Sequence, residues 1–119
     1  MARSDTLPIF LDTYQLTQEI YKTTVKFPRE YKFCLGQEMN RDVLNLLRLI
    51  FRANHTVDKV PLLEEFFAAL EVLRLEIRLC ADMKVLTVKR LAYLSLLVES
   101  ISKQAVAWCH YETRKKKGV

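Results

Sequence analysis

Apolar residues recur along most of this chain at intervals of three and four positions, the period of one face of an α-helix. One such run occupies Leu63, Phe66, Leu70, Leu73, Ile77 and Cys80. A second run occupies Leu91, Leu94, Val98, Ile101, Ala105 and Trp108. Spacing that averages about 3.5 residues is typical of the contact line between helices in left-handed bundles. No segment alternates with a sustained period of two, so the pattern predicts helices and no β-strand.

Four segments carry this helical pattern. The predicted helices cover residues 7–26, 33–54, 60–82 and 87–112. Connections of about 4–6 residues between them leave neighbouring helices antiparallel. The sequence therefore predicts an all-α fold, an antiparallel up-down-up-down four-helix bundle. The bundle is expected to span residues 7–112, between an N-terminal extension, 1–6, and a basic C-terminal tail, 113–119.

Proline and short polar residues indicate where these helices begin and end. Asp5 or Thr6 is expected to cap the first helix, since a short polar side chain accepts a hydrogen bond from a free backbone amide there. Pro28 ends this helix, because proline lacks the amide hydrogen and clashes with a preceding turn. Asp58 is the expected cap of the third helix, and Thr87 is that of the fourth.

The third predicted helix carries a second apolar stripe, formed by Ala68, Val72, Leu75 and Leu79. At about 100° per residue, the centre of this stripe lies roughly 155° from the first one, on the opposite face. A helix in a single small bundle needs only one apolar face. We therefore predict that the second stripe contacts another subunit of a homo-oligomer. The alternative is that this helix is central and wrapped by loops.

Basic residues line one exposed face of the second predicted helix. Arg41, Arg48 and Arg52 fall within about 40° of one another around the helix axis. The predicted core positions of the same helix lie opposite them, at Met39, Val43, Leu46 and Ile50. A guanidinium pairs with a phosphate through two parallel hydrogen bonds, so this line of arginines is able to follow a nucleic-acid backbone. We predict a nucleic-acid-binding surface here.

Further basic residues are candidates for the same function. They are Arg74 and Arg78 on the third helix, Lys89 and Lys103 on the fourth, and Arg114, Lys115, Lys116 and Lys117 in the tail. The alternative for the helical residues is a solvated face or an ion pair along the helix, with Glu71 and Asp82 within reach of the two arginines. Assembly of several subunits would repeat each basic patch and strengthen its field, so the two hypotheses support each other.

The net charge of +5 is concentrated at one end of the chain. The four basic tail residues contribute four of these charges, which leaves +1 for residues 1–113. Such a short block of like charge is usually a solvated tail, with phosphate binding as the alternative.

The composition, 50% hydrophobic and 28% charged over 119 residues, is that of one globular domain. Two glycines and three prolines are too few for the turns of a sandwich or barrel.

The cysteines and the hydropathy pattern bear on compartment and cofactors. Cys34, Cys80 and Cys109 lie inside apolar helical runs, with no spacing that suits a metal. We expect buried free thiols in a reducing cytosol, hence a cytoplasmic protein without a metal or other cofactor. The chain start lacks the apolar segment of a signal peptide. The longest charge-free apolar run, Leu91 to Val98, is far shorter than the roughly 18–20 residues of a membrane span, so no membrane partner is expected.

One pair of residues raises the question of catalysis. Arg48 and His55 are separated by six residues, a spacing that resembles the arginine–histidine motif of HEPN-type ribonucleases, which are also helical bundles. There the histidine would act as general base and the arginine would stabilise the scissile phosphate. Those enzymes usually have a polar residue after the arginine, where this chain has Leu49. We expect no enzyme, with the ribonuclease as an alternative.

The segment from Tyr21 to His55 resembles the hallmark of Avd, the accessory protein of diversity-generating retroelements. It contains Phe27-Pro28, a basic-aromatic turn, and Leu35-Gly36 at the start of the second helix. Pro28 ends one helix, and Gly36 lets the next one pack closely. The later leucine- and arginine-rich helix and the tryptophan near the end of the fourth helix also fit. The resemblance covers Leu7 to Glu112, nearly the whole chain.

This resemblance implies a homopentameric ring with a basic surface. The ring would associate with the reverse transcriptase of the retroelement and with template RNA or cDNA during mutagenic copying. The proteins encoded by intervening sequences in bacterial large-subunit ribosomal RNA genes belong to the same superfamily, but they usually have an NIAEG-like segment where this chain reads RANHT. A protein of that type, or a helical scaffold without a nucleic-acid role, is the competing interpretation.

Overall fold

The computed structural model describes residues 6–118, and within them the chain is helical with no strand. Helix α1 spans Pro8–Thr24. Helix α2 consists of an α-helical turn, a π-helical segment and a longer α-helical part, which span Arg29–Tyr31, Lys32–Gly36 and Gln37–Asn54. Helices α3 and α4 span Val60–Asp82 and Val88–Lys116. The predicted all-α fold class is confirmed.

The helices lie side by side. Helix α1 packs against α2 and α4, and α3 packs against the same two helices. The resulting body measures 51 × 20 × 20 Å. The connections, residues 25–28, 55–59 and 83–87, are too short to cross the length of this body, so successive helices run in opposite directions. The arrangement is compatible with the predicted up-down-up-down four-helix bundle.

The core lies between the helices at the predicted positions. All six predicted positions of α3 are buried, as are the four of α2. In α4, the residues from Leu94 to Ala105 on the predicted stripe are buried, while Leu91 and Trp108 are half-buried. Helix α1 adds Leu16 and Ile20, whose side chains are fully buried. The periodicity of apolar residues therefore identified the face that each of these helices buries.

The junction of α1 and α2 differs from the prediction. Helix α1 ends at Thr24, and α2 begins at Arg29, four residues before the predicted start. Gly36 is buried where α2 passes the end of α1, and a Cβ atom added there would lie 3.4 Å from the Cβ of Thr24. This close approach is consistent with the expected packing role of the glycine. The residues just before it form the π-helical segment.

Three of the four predicted cap residues, Thr6, Asp58 and Thr87, lie among the described residues. Thr87 caps α4 as predicted, since its Oγ1 accepts a hydrogen bond from the backbone amide of Arg90 at 3.1 Å. The prediction for Thr6 is wrong, because Leu7 precedes α1 and no side chain caps that helix. Its alternative, Asp5, lies outside the described residues.

The prediction that Asp58 caps the third helix is also wrong. Lys59 precedes α3, and no side chain caps that helix. The Asp58 carboxylate instead lies 3.3 Å from Nζ of Lys116. Helix α4 reaches Lys116, four residues beyond the predicted end, so much of the basic tail is helical. Cations in a last turn are favourable, because the carboxyl end of a helix carries partial negative charge.

Arg90 links α4 to α1 through a cluster of polar contacts. Its Nε donates to Oγ1 of Thr23 at 2.8 Å, and its Nη2 donates to the Glu19 backbone oxygen at 3.0 Å and to the Glu19 carboxylate. The hydrogen bond from Arg90 lowers the pKa of Glu19 below its ordinary value, although burial opposes this shift. The pair is only partly exposed, with 29% of the arginine side chain and 14% of the glutamate side chain accessible.

We expect Arg90→Ala to lower the free energy of unfolding by about 1–3 kcal/mol, because it removes the hydrogen bonds of Arg90 and leaves the partly buried Glu19 carboxylate with only the exposed Lys22 beside it. Urea denaturation at neutral pH measures the change. Arg78→Ala is the control, because Arg78 is exposed and its ion pair with Asp82 is 4.0 Å long. Folding lowers the pKa of Glu19, so the greater stability of the wild type over the variant is present above about pH 4.5. It is lost as the pH falls through the lowered pKa of the folded protein. Equal losses in both variants would contradict this account.

Candidate functional site

The predicted arginine line on α2 is exposed, but its members differ in their partners. Arg41 forms an ion pair with Glu38 at 3.2 Å, one turn away. Arg48 and Arg52 are exposed and form no ion pair with another described residue. These two guanidinium groups are therefore available to an external anion. Exposed, unpaired arginine is well suited to phosphate because its five donors match the phosphate oxygens.

An aromatic pair lies beside these two arginines. Phe51 is 53% exposed, and its ring stacks on that of His55 with centroids 4.4 Å apart and an interplanar angle of 29°. His55 Nδ1 lies 2.9 Å from the Phe51 backbone oxygen. A carbonyl oxygen only accepts, so Nδ1 donates this hydrogen bond. We name Arg48, Phe51, Arg52 and His55 the α2 platform.

Sequence reasoning missed Phe51. The residue lies three positions after Arg48, about 60° away around the helix and off the buried stripe. That position was sufficient to place an aromatic ring beside the arginine line. The structure adds the stacking on His55, which depends on side-chain conformation and could not be read from spacing.

The surroundings of the α2 platform reduce the negative charge near it. Lys59 Nζ donates to the backbone oxygens of Ala53 at 2.9 Å and Thr56 at 2.7 Å, at the carboxyl end of α2. This contact places a positive charge where the helix end is partially negative. Asp58, in the following loop, pairs with Lys116. The acidic group closest in sequence to the platform is thus neutralised.

The Asp58–Lys116 pair also places the basic end of α4 beside the end of α2. Arg114, Lys115 and Lys117 are exposed at this end. Helices α2 and α4 run in the same direction, so their carboxyl ends lie at the same end of the bundle. Two groups of basic residues that are far apart in sequence therefore lie toward the same end of the bundle.

Of the other predicted basic residues, the two arginines of α3 lie near acidic side chains, whereas the two lysines of α4 are exposed. Arg74 pairs with Glu71 at 3.3 Å and with Glu99 at 3.4 Å. Arg78 lies near Asp82, as the alternative interpretation expected. Lys89 and Lys103 are exposed on α4. These ion pairs lower the net positive charge of the surface around the two arginines of α3. Helix α2 therefore carries the stronger candidate surface for nucleic acid.

A cleft lies between the end of α1 and the start of α4, at the opposite end of the bundle. Its volume is about 330 Å³, and its lining includes Lys22, Lys26, Phe27 and Arg90. Arg90 is committed to Glu19, and Lys22 lies 3.5 Å from the same carboxylate. The Glu19 carboxylate thus neutralises part of the positive charge that lines the cleft.

The second apolar stripe of α3 is exposed. Val72, Leu75 and Leu79 are 49%, 63% and 46% accessible, and Ala68 is also exposed. The alternative in which loops wrap this helix is wrong for these four residues. Their contact with another subunit stays a prediction.

Three further features of the described residues concern possible metal ligands, the cysteines and the hydropathy of the helices. They contain no group of three or more His, Cys, Asp or Glu side chains placed to hold a metal ion. The cysteines are free, as predicted, but Cys34 is exposed rather than buried, and its Sγ donates to the Glu30 backbone oxygen at 3.1 Å. Cys80 is buried, which raises the pKa of its thiol to about 11. No helix among residues 6–118 is long and apolar enough to cross a membrane.

Comparison with known proteins gives one result at the level of the family. The chain matches none of the curated proteins. Residues 9–112, from the first turn of α1 to near the end of α4, match the bAvd-like family model. This match covers nearly the whole helical body, including the α2 platform and the exposed stripe of α3. The chain belongs to the bAvd-like family.

Proposed function

We propose that this chain is an accessory protein of a diversity-generating retroelement, which binds template RNA or cDNA and the reverse transcriptase of the element to support mutagenic copying. Membership of the bAvd-like family supports an Avd-type accessory role in general. The observation that carries the nucleic-acid part is the α2 platform, with two exposed arginines that lack an ion-pair partner among the described residues. The exposed basic residues of α4, which lie toward the same end of the bundle, support the same proposal.

A homo-oligomeric ring, a pentamer by resemblance to Avd, is part of this proposal. The exposed α3 stripe would lie between neighbouring subunits. Assembly would then repeat the α2 platform around the ring. Repeated positive patches strengthen binding to a polyanion, because each phosphate contact releases condensed counterions.

We expect binding to single-stranded RNA to weaken steeply as the salt concentration rises. The double variant Arg48→Gln/Arg52→Gln is expected to make the slope of log affinity against log salt less steep by roughly 1.4, since each phosphate contact on a single strand contributes about 0.7. Fluorescence anisotropy with a labelled oligonucleotide measures this slope. The matched control is Arg74→Gln/Arg78→Gln, which removes the same charge from α3, where Arg74 pairs with Glu71 and Glu99 and no exposed aromatic pair among the described residues accompanies the arginines. An unchanged slope in the α2 double variant, or wild-type affinity independent of salt, would contradict the electrostatic role of the platform.

We also propose that the chain is not itself a nuclease. One feature favours the ribonuclease alternative: His55 Nδ1 donates to a backbone oxygen, which leaves Nε2 available as a proton acceptor on the same helix as Arg48. The two residues are two turns apart, about 10.5 Å along the axis. Incubation of purified protein with single-stranded RNA is expected to leave the RNA intact. Cleavage that disappears in His55→Ala, with folding preserved, would establish the ribonuclease instead.

A further inference from the structure

We infer that the α2 platform binds unpaired nucleotides, with a base stacked on the Phe51–His55 pair and the adjoining phosphates held by Arg48 and Arg52. This inference rests on the proposed nucleic-acid-binding function, and it adds that the ligand is a single strand with accessible bases. It departs from a purely electrostatic surface, which would bind any polyanion of the same charge density.

The first support is the combination of groups at one place. Successive bases of a single strand offer flat aromatic faces, and proteins bind them by pairing aromatic side chains with a basic groove. On α2, an exposed aromatic pair lies within one helical turn of two arginines, and all four side chains are exposed. Arg48 and Arg52 are four residues apart, about 6 Å along the helix, so they lie on either side of the Phe51 position in the chain.

The second support is a comparison within the chain. Phe10 and Tyr14 also stack, with centroids 6.3 Å apart and an interplanar angle of 18°. The residues one turn from Tyr14 are Leu11, Thr17 and Gln18 together with Phe10, so no arginine accompanies that pair. A stacked aromatic pair, here of half-buried Phe10 and exposed Tyr14, therefore does not by itself define the site. The arginines distinguish the α2 pair from the pair on α1.

The third support is the way in which the negative groups around the platform are compensated. The carboxyl end of α2 would repel a phosphate, but Lys59 donates to its terminal backbone oxygens. The Asp58 carboxylate is held by Lys116. The exposed basic residues Arg114 and Lys115 lie toward the same end of the bundle, because α2 and α4 run in the same direction. The carboxyl end of α2 and the Asp58 carboxylate are thus each compensated by a lysine.

A base inside a duplex is already stacked and paired, so it is unable to reach Phe51 without opening the helix. The site therefore discriminates between single strands with bases and two other polyanions, namely duplexes and strands that lack bases. Stacking depends little on base identity, because every base has a π-face. We expect a preference for strands that carry bases, with little preference for sequence.

The experiment compares two single strands of equal length, oligothymidylate and an abasic strand with the same phosphates, by anisotropy at fixed salt. The full-length wild type is expected to bind the base-carrying strand about five- to 150-fold more tightly, the range of one stacked base. In Phe51→Leu this preference is expected to fall to near unity, while the salt slope is retained. Tyr14→Leu, the matched change in the other stacked pair, is expected to keep the wild-type preference.

The remaining outcomes decide between the inference and the function on which it rests. Equal, salt-dependent binding of both strands by the wild type would overturn the stacking site and leave the proposed electrostatic function standing. Binding of neither strand would overturn both. Circular dichroism checks that Phe51→Leu is folded, and light scattering measures its mass. A lower mass for this variant would identify the Phe51 face as a contact between subunits, which also overturns the inference.

Discussion

Leu75→Glu is expected to reduce the mass of the protein in solution severalfold, to that of a single 14.0 kDa chain. Leu75 is the most exposed of the three large residues in the α3 stripe, at 63%. An apolar contact that buries this side chain between subunits would have to desolvate the introduced carboxylate, which costs far more than the lost apolar contact. The substitution leaves the bundle intact, because the side chain points away from the core of its own subunit.

The stripe is large enough to act as an interface. It runs from Ala68 to Leu79, about 16 Å along the helix axis, and the exposed side chain of Met83 follows one turn later on the same face. Contiguous apolar surface of this kind is unusual on a monomer and marks sites of protein contact. The stripe and the core face lie on opposite sides of α3, so one helix is able to serve both the fold and the assembly.

Multi-angle light scattering at micromolar concentration, with circular dichroism for helicity, tests this prediction. Leu96→Glu is the control, because Leu96 is 71% exposed on α4 and lies outside the stripe. It is expected to keep the wild-type mass. A monomeric wild type would disprove oligomerisation through α3, as would a Leu75→Glu variant of unchanged mass.

The parts of the fold that were predictable are those that local patterns determine. Both ends of α3 and its entire buried stripe agree with the prediction, since an apolar period of three and four is enough to identify a buried face. The start of α2 was not predictable in this way, because the π-helical segment accompanies the contact of Gly36 with the end of α1. The missed cap has a similar cause, since Asp58 is engaged by Lys116, 58 residues further along the chain.

The candidate site shows the same division. Helical spacing placed Arg41, Arg48 and Arg52 on one exposed face. Helical spacing could not show which basic residues form ion pairs with acids on other helices, as Arg74 does with Glu99 on α4. It also gave no indication that Lys59 would cover the end of α2. Such contacts join residues whose distance is set by the tertiary structure, and they decide how much positive charge remains available.

A half-buried carboxyl group between α2 and α3 gives the second large effect. Glu76 is half-buried on α3, and it faces Asp42 and Glu38 of α2. Burial disfavours its charged form, and the hydrogen bond and negative charge of Asp42 act in the same direction, so the pKa of Glu76 rises from 4.5 to about 8. At neutral pH this side chain holds its proton in the folded protein and loses it in the unfolded chain.

This difference makes stability depend on pH in a defined direction. Between about pH 4.5 and 8 the folded state binds more protons than the unfolded state, so the free energy of unfolding falls as the pH rises. The stabilisation that Glu76 contributes is fully present when the pH is below the pKa of this group in the unfolded chain. It is lost once the pH has risen through its pKa in the folded protein. The slope from this one group is at most about 1.4 kcal/mol per pH unit.

Glu76→Gln is expected to abolish this dependence, because the amide is uncharged at every pH of the experiment. The variant should be about as stable as the wild type near pH 5 and more stable by roughly 2–4 kcal/mol at pH 9, where the wild type carries a desolvated charge beside other carboxylates. Urea denaturation across this range measures the difference between the two proteins, so that groups common to both cancel. Glu65→Gln, at an exposed position of the same helix, is the control and is expected to follow the wild type at every pH. A Glu76→Gln variant whose stability relative to the wild type does not change with pH would show that the carboxyl is ionised in the folded protein.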